Sequence, residues 1–140
     1  MNDRLSRLEK ATSYLESFLD VLKRMEILQK DETAEYERYI EQQEDHTKPD
    51  AATLREEKIR RFRIEKETDA RLQEIKTMEE RKEKGSVVDE ELEREKWILA
   101  LQSCSRKALN DLRMIPQEME ILQYMQNMQK AGKDPHQEVV

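Results

Sequence analysis

Arg55, Lys58, Arg60, Arg61, Arg63 and Lys66 crowd into one short run, opposed only by Glu56, Glu57 and Glu65, in a chain whose formal net charge is −6. The chemistry open to such residues is electrostatic capture, because a guanidinium binds a carboxylate bidentately and an ammonium acts as a strong point charge. At about 100° per residue on a helix, Arg55, Lys58, Phe62 and Lys66 fall along one side, so that two early cations flank an aromatic ring able to anchor a contact. A local reversal of sign in an acidic chain is the pattern of a docking face for an acidic partner. The alternative is a solvated helix face that meets nothing.

Catalytic chemistry is poorly served. The two histidines, His46 and His136, fall in a polar connector and a polar tail, where neither is held in a concave pocket. Cys104 sits within an apolar stripe and reads as a small core residue rather than a nucleophile. No spacing of His or Cys suits a metal, and the Glu-rich surfaces lack the loop geometry that holds calcium. Gly85 and Gly132 are the only glycines, too few for a phosphate-cradling loop. The expectation is a non-enzyme without metal or cofactor. Runs such as Glu79-Glu80-Arg81-Lys82-Glu83-Lys84 read as solvated helix faces supported by close opposite-charge pairs. The terminus Glu138-Val139-Val140 has only a weak likeness to a peptide that adds a strand to a sheet edge.

The elements that must carry the basic face are helices. Of the 140 residues, 36% are apolar and 41% charged, with only 2 Gly and 3 Pro, and the mean hydropathy is −1.06. This is the vocabulary of long helices and not of sheets. The fold expected is all-α, an elongated antiparallel bundle of long helices in one domain over 1–130, followed by a disordered tail at 131–140.

Four helices are expected, at about 3–29, 33–42, 53–84 and 89–129. The first carries Leu5, Leu8, Ala11, Tyr14, Leu15, Phe18, Leu19, Val21, Leu22, Met25 and Leu28. These positions cover an arc of roughly 220°, beyond the stripe of about 100° that rests on one neighbour, so this helix calls for partners on two sides. The second has Asp31 as its N-cap and Tyr36, Tyr39 and Ile40 as its apolar side. A connector over 44–52 ends at a cap near Asp50 or Thr53. The third is mostly a charged rod, with sparse apolar positions such as Ile59, Phe62, Ile75 and Met78, and Gly85-Ser86 supplies its stop. The fourth begins at Asp89 and carries the strongest stripe: Trp97, Leu101, Cys104, Ala108, Leu112, Ile115, Met119 and Leu122. Pro116 removes a backbone hydrogen bond there and predicts a kink or break near 113–115.

One cysteine excludes an intramolecular disulfide, and the N-terminus has no apolar signal segment, so a cytoplasmic or nuclear location is expected. No apolar run approaches the length needed to cross a bilayer. Nucleic-acid binding through the basic run is disfavoured by the acidic balance and by Phe62 being its lone ring.

Three stretches together carry a resemblance: Ala11-x-x-Tyr14-Leu15-x-x-Phe18-Leu19, then Arg55-x-x-Lys58-Ile59-x-Arg61-Phe62-Arg63-x-x-Lys66-Glu67 with Arg71-Leu72, then Arg94-Glu95-x-Trp97-Ile98-Leu99-x-Leu101. In this order and spacing the chain resembles the alpha-four, or immunoglobulin-binding-protein-like, family of protein phosphatase 2A-associated proteins of TOR signalling. The resemblance implies an all-helical adaptor, similar to tetratricopeptide-type helix stacks, that binds catalytic subunits of type 2A phosphatases. Its phosphatase-docking basic pair falls on Arg55 and Lys58, with Phe62 and Lys66 on the same face. Members carry further helices before the position of Leu5 and a long acidic region after the helical domain, so the resemblance implies a shortened form. Self-association through the first helix's apolar face is then an added expectation. The competing reading is a structural helical bundle that assembles through the fourth-helix stripe and has no phosphatase partner.

Overall fold

The computed structural model describes residues 2–81 and 88–132, and their regular structure is entirely helical: α1 (Asn2–Arg24), α2 (Lys30–Asp45), α3 (Ala51–Arg81) and α4 (Val88–Lys130). The chain is all-α, as its composition predicts. At 43 residues, α4 is about 65 Å long and serves as the spine on which the other three helices pack. Arg4 meets Glu118 while the Gln102 amide donates to the Ile27 carbonyl, so α1 runs antiparallel to α4. The pairs Glu57–Arg113 and Glu79–Lys96 set α3 antiparallel to it as well. Contacts of Glu32 with Arg106 and of Gln42 with Arg113 give α2 the same sense as α4.

The apolar core lies among α1, α2 and α4, where Leu19, Leu22, Leu28, Tyr36, Tyr39, Ala108, Leu109 and Leu112 are buried against one another. Burying each leucine contributes about 1.5–3 kcal/mol. Tyr36 and Tyr39 stack with ring centroids 6.2 Å apart. The Tyr36 hydroxyl donates to Asp20 Oδ1 at 2.7 Å, with the Glu16 carbonyl oxygen 3.1 Å away, and so ties α2 to the solvent edge of α1.

Several element ends differ from the sequence expectation for local reasons. α1 stops at Arg24, before the predicted 29, because Glu26 turns into the left-handed region (φ 57°). Ile27 and Leu28 still reach the core from the turn, which is why periodicity alone overruns the helix. α2 starts at Lys30 and extends to Asp45, with Gln29 rather than Asp31 as its N-cap; the Gln29 N–H donates to Glu32 Oε2 at 3.4 Å. His46, expected in a loose connector, closes α2 as a left-handed C-cap (φ 55°). Asp50 does cap α3: its Oδ1 accepts the Thr53 N–H at 2.7 Å, and the Thr53 hydroxyl together with this N–H lowers its pKa.

α4 continues unbroken through the exposed Pro116, against the expected break. Two members of its predicted stripe face outward: Trp97 is 60% exposed, and Cys104 is exposed rather than a core residue. Ile59, Phe62 and Met78 of α3 are also exposed. The predicted Gly85-Ser86 stop, the Asp89 side chain, His136 and the terminal Glu138-Val139-Val140 lie outside the described residues.

Candidate docking surface

α3 contributes none of the side chains of the main apolar core. Its inward face is polar, with Glu57, Arg61 and Thr68 buried beside Ile75, and it is joined to the bundle by ion pairs. Arg113 donates Nε and Nη2 to the two oxygens of Glu57 at 2.9 and 3.0 Å and its Nη1 to Gln42 at 2.7 Å. Its guanidinium also lies 5.7 Å from the Tyr39 ring. Glu35 of α2 receives Arg60 at 3.1 Å and is paired with the buried Arg61, whose other amine reaches Asn110 at 3.3 Å. Arg106 binds Glu32, Glu65 and Thr68 at 2.8, 2.8 and 2.9 Å, while Ser105 donates to Glu32 and Ser103 to Glu65.

These pairs differ in electrostatic balance. Burial raises the pKa of Glu35, with help from the neighbouring Glu57 charge and against the opposing Arg61 and Arg60. At Glu65, burial is outweighed by hydrogen bonds from Ser103 and Arg106 and by the charges of Arg106 and Lys107, so its pKa falls.

The basic run is therefore divided. Arg60 and Arg61 turn inward and share the carboxylate of Glu35. Arg55, Lys58, Phe62 and Lys66 remain exposed, as the 100° spacing predicts, and the Lys66 ammonium sits 4.8 Å over the Phe62 ring. Arg55 and Lys58 have no ion-pair partner among the described residues. Beside them, between α3 and α4, opens a groove of about 600 Å³ whose lining includes Lys58, Ile59, Phe62, Lys107 and Asp111. Phe62 is 63% exposed and Ile59 58%. Lys107 belongs to this surface but is absent from the sequence-based site, since reading α3 alone gives no signal of a cation on α4. Ile59 was legible only as an apolar position.

Among the described residues, no group of three or more His, Cys, Asp or Glu is placed to hold a metal ion, and no helix is long and apolar enough to cross a membrane. The surface thus presents the exposed cations Arg55, Lys58 and Lys107 and the exposed apolar side chains of Ile59 and Phe62, with Asp111 among them, and the other face of α3 is joined to the bundle by salt bridges.

The chain belongs to the TAP42-like family, whose sequence model matches residues 1–139. It is thereby a member of a family of phosphatase-associated regulatory adaptors, in agreement with the three-stretch resemblance. No match is found among curated proteins or solved structures.

Proposed function

We propose that this chain binds the catalytic subunit of a type 2A phosphatase as a non-catalytic adaptor in TOR signalling, through the outward face of α3. The observation that carries the reading is the separation of charge on that helix: Arg60 and Arg61 are consumed by Glu35, whereas Arg55 and Lys58 stand exposed beside Phe62 and Lys66. Unpaired cations next to an exposed ring suit an acidic protein surface, and family membership supplies the kind of partner. Arg55 would clamp a carboxylate bidentately, Lys58 would add a point charge one turn on, and Phe62, held under Lys66, would supply apolar contact.

A pull-down of purified type 2A catalytic subunit tests this, comparing the parent chain with the Arg55→Glu, Lys58→Glu double variant after circular dichroism has confirmed equal helicity. Truncating one partner of a desolvated interfacial charge pair costs about 2–5 kcal/mol, and reversal costs at least as much. The parent should bind in a salt-sensitive manner and the variant should not. A well-folded parent that captures no phosphatase would sink the reading.

A second reading, assembly of copies through α1, is favoured by the exposed apolar residues Tyr14 (73%) and Val21 on that helix and Met25 in the turn that follows it. Sedimentation of the isolated chain tests it: a concentration-independent monomer removes it.

A further inference from the structure

We infer that the docking site is not the α3 face alone but the groove between α3 and α4, which Lys58 of α3 and Lys107 of α4 line together with the exposed apolar side chains of Ile59 and Phe62, and that its occupant is a segment of the phosphatase catalytic subunit in which an apolar side chain is bracketed by carboxylates. This rests on the phosphatase-binding reading above and adds the second wall of the site, two further contact residues and the chemistry of the bound segment.

Three observations carry it. Ile59 and Phe62 are large apolar side chains more than half exposed in a helix otherwise dominated by charge, and both line one groove. Among the described residues, Ile59 is not one of those packed in or against the apolar core, and its exposed surface is open to another chain. The groove's more buried cations, Arg61 and Arg106, are already paired, Arg61 with Glu35 and Arg106 with Glu32 and Glu65. The rim cations, Lys58 and Lys107, are exposed and contributed by different helices.

An entering segment therefore meets a lysine from each helix and the apolar surface of Ile59 and Phe62, which selects carboxylates on either side of an apolar side chain by charge complementarity. Asp111 is the exception on the rim. It repels a carboxylate, so it orients the segment by placing a polar or cationic group at that end. The Arg55 charge, one turn before Lys58 on α3, extends the positive wall beyond the groove.

The test is calorimetric titration of the purified catalytic subunit into the full chain and into Lys107→Gln, Lys107→Glu, Ile59→Ala and, as a remote control, Lys10→Glu. Lys107→Gln guards against repulsion between a new Glu and Asp111 within the same helix. Each variant is first checked by circular dichroism. Both Lys107 variants should weaken binding about tenfold or more, Ile59→Ala about fivefold or more, and the control should match the parent. If the Lys107 and Ile59 variants bind like the parent while Arg55→Glu, Lys58→Glu does not bind, the groove is not the site although the adaptor reading survives. If the parent itself does not bind, both readings fall.

Discussion

Glu57 of α3 is 1% exposed and receives two nitrogens of Arg113 of α4, at 2.9 and 3.0 Å, in a bidentate pair across the interface of the two helices. Arg38 approaches the same carboxylate at 3.4 Å from α2. One buried carboxylate thus joins three helices, and at this end of α3 charge is satisfied by charge. Such pairs gain little over an apolar replacement but are costly to break, because one partner is left desolvated and alone.

Glu57→Ala should therefore destabilise the chain by about 3–5 kcal/mol. The double variant Glu57→Leu, Arg113→Met should recover most of the loss, since it removes both charges and keeps volume. Urea denaturation followed by circular dichroism measures both. A single variant within 1 kcal/mol or so of the parent would contradict a closely packed pair.

Glu65 and Glu35 should leave opposite marks on the pH dependence of stability. Glu65 has a lowered pKa in the folded chain, so its contribution is present above the unfolded carboxylate value and disappears as pH falls through the folded one. Glu35 has a raised pKa, so the folded state binds the extra proton and the Glu35-linked stability declines as pH rises from the unfolded value through the folded one. Compared with the parent, Glu65→Gln should show a deficit that shrinks on acidification. Glu35→Gln should show one that grows as pH is lowered through its window. Urea midpoints at a series of pH values distinguish them, and parallel profiles would refute the assignment.

Pro116 lies exposed in the interior of α4, where it lacks the N–H that would bond to the Leu112 carbonyl. Pro116→Ala restores that donor and removes the ring's crowding, and should stabilise the chain by about 1–3 kcal/mol. A thermal unfolding midpoint that stays put or falls would show that the bundle already compensates for the proline.

Tyr36→Phe deletes the hydroxyl that binds Asp20 at 2.7 Å and lies near the Glu16 carbonyl. The ring and its stacking on Tyr39 are kept, so the expected cost is that of one hydrogen bond to a charged group, about 1.5–3 kcal/mol. Asp20→Asn provides the paired measurement: if the two losses add fully in the double variant, the residues are not coupled.

The helical class was legible in the sequence because Gly and Pro are scarce and because Leu19, Leu22, Ala108 and Leu112 keep a helical period. The outward placement of Arg55, Lys58, Phe62 and Lys66 was legible for the same geometric reason. The inward polar face of α3 was not, since Glu57, Arg61 and Thr68 look like any solvated charge when read one helix at a time. A signal was nonetheless present. Glu57, Arg61, Glu65 and Thr68 follow three- and four-residue steps, as a buried face must, and Ser105, Arg106 and Arg113 interrupt the apolar stripe of α4 on the side that meets them. Lys107 entered the surface only once two helices were set side by side. The end of α1 was missed because Ile27 and Leu28 are core residues carried on a turn.

The polar seam also dictates alignment. Long helices with repetitive charge could slide past one another by a turn, about 5.4 Å. Here a slip in one sense would bring Arg61 toward Arg106 and Glu57 toward Leu109, and in the other would set Glu57 against Gln117 and Arg61 against Met114, each stranding buried charge. Neither slip satisfies every member. The buried arginines and glutamates thus act as a vernier, and the spacing they lock is that between Lys58 on one helix and Lys107 on the next.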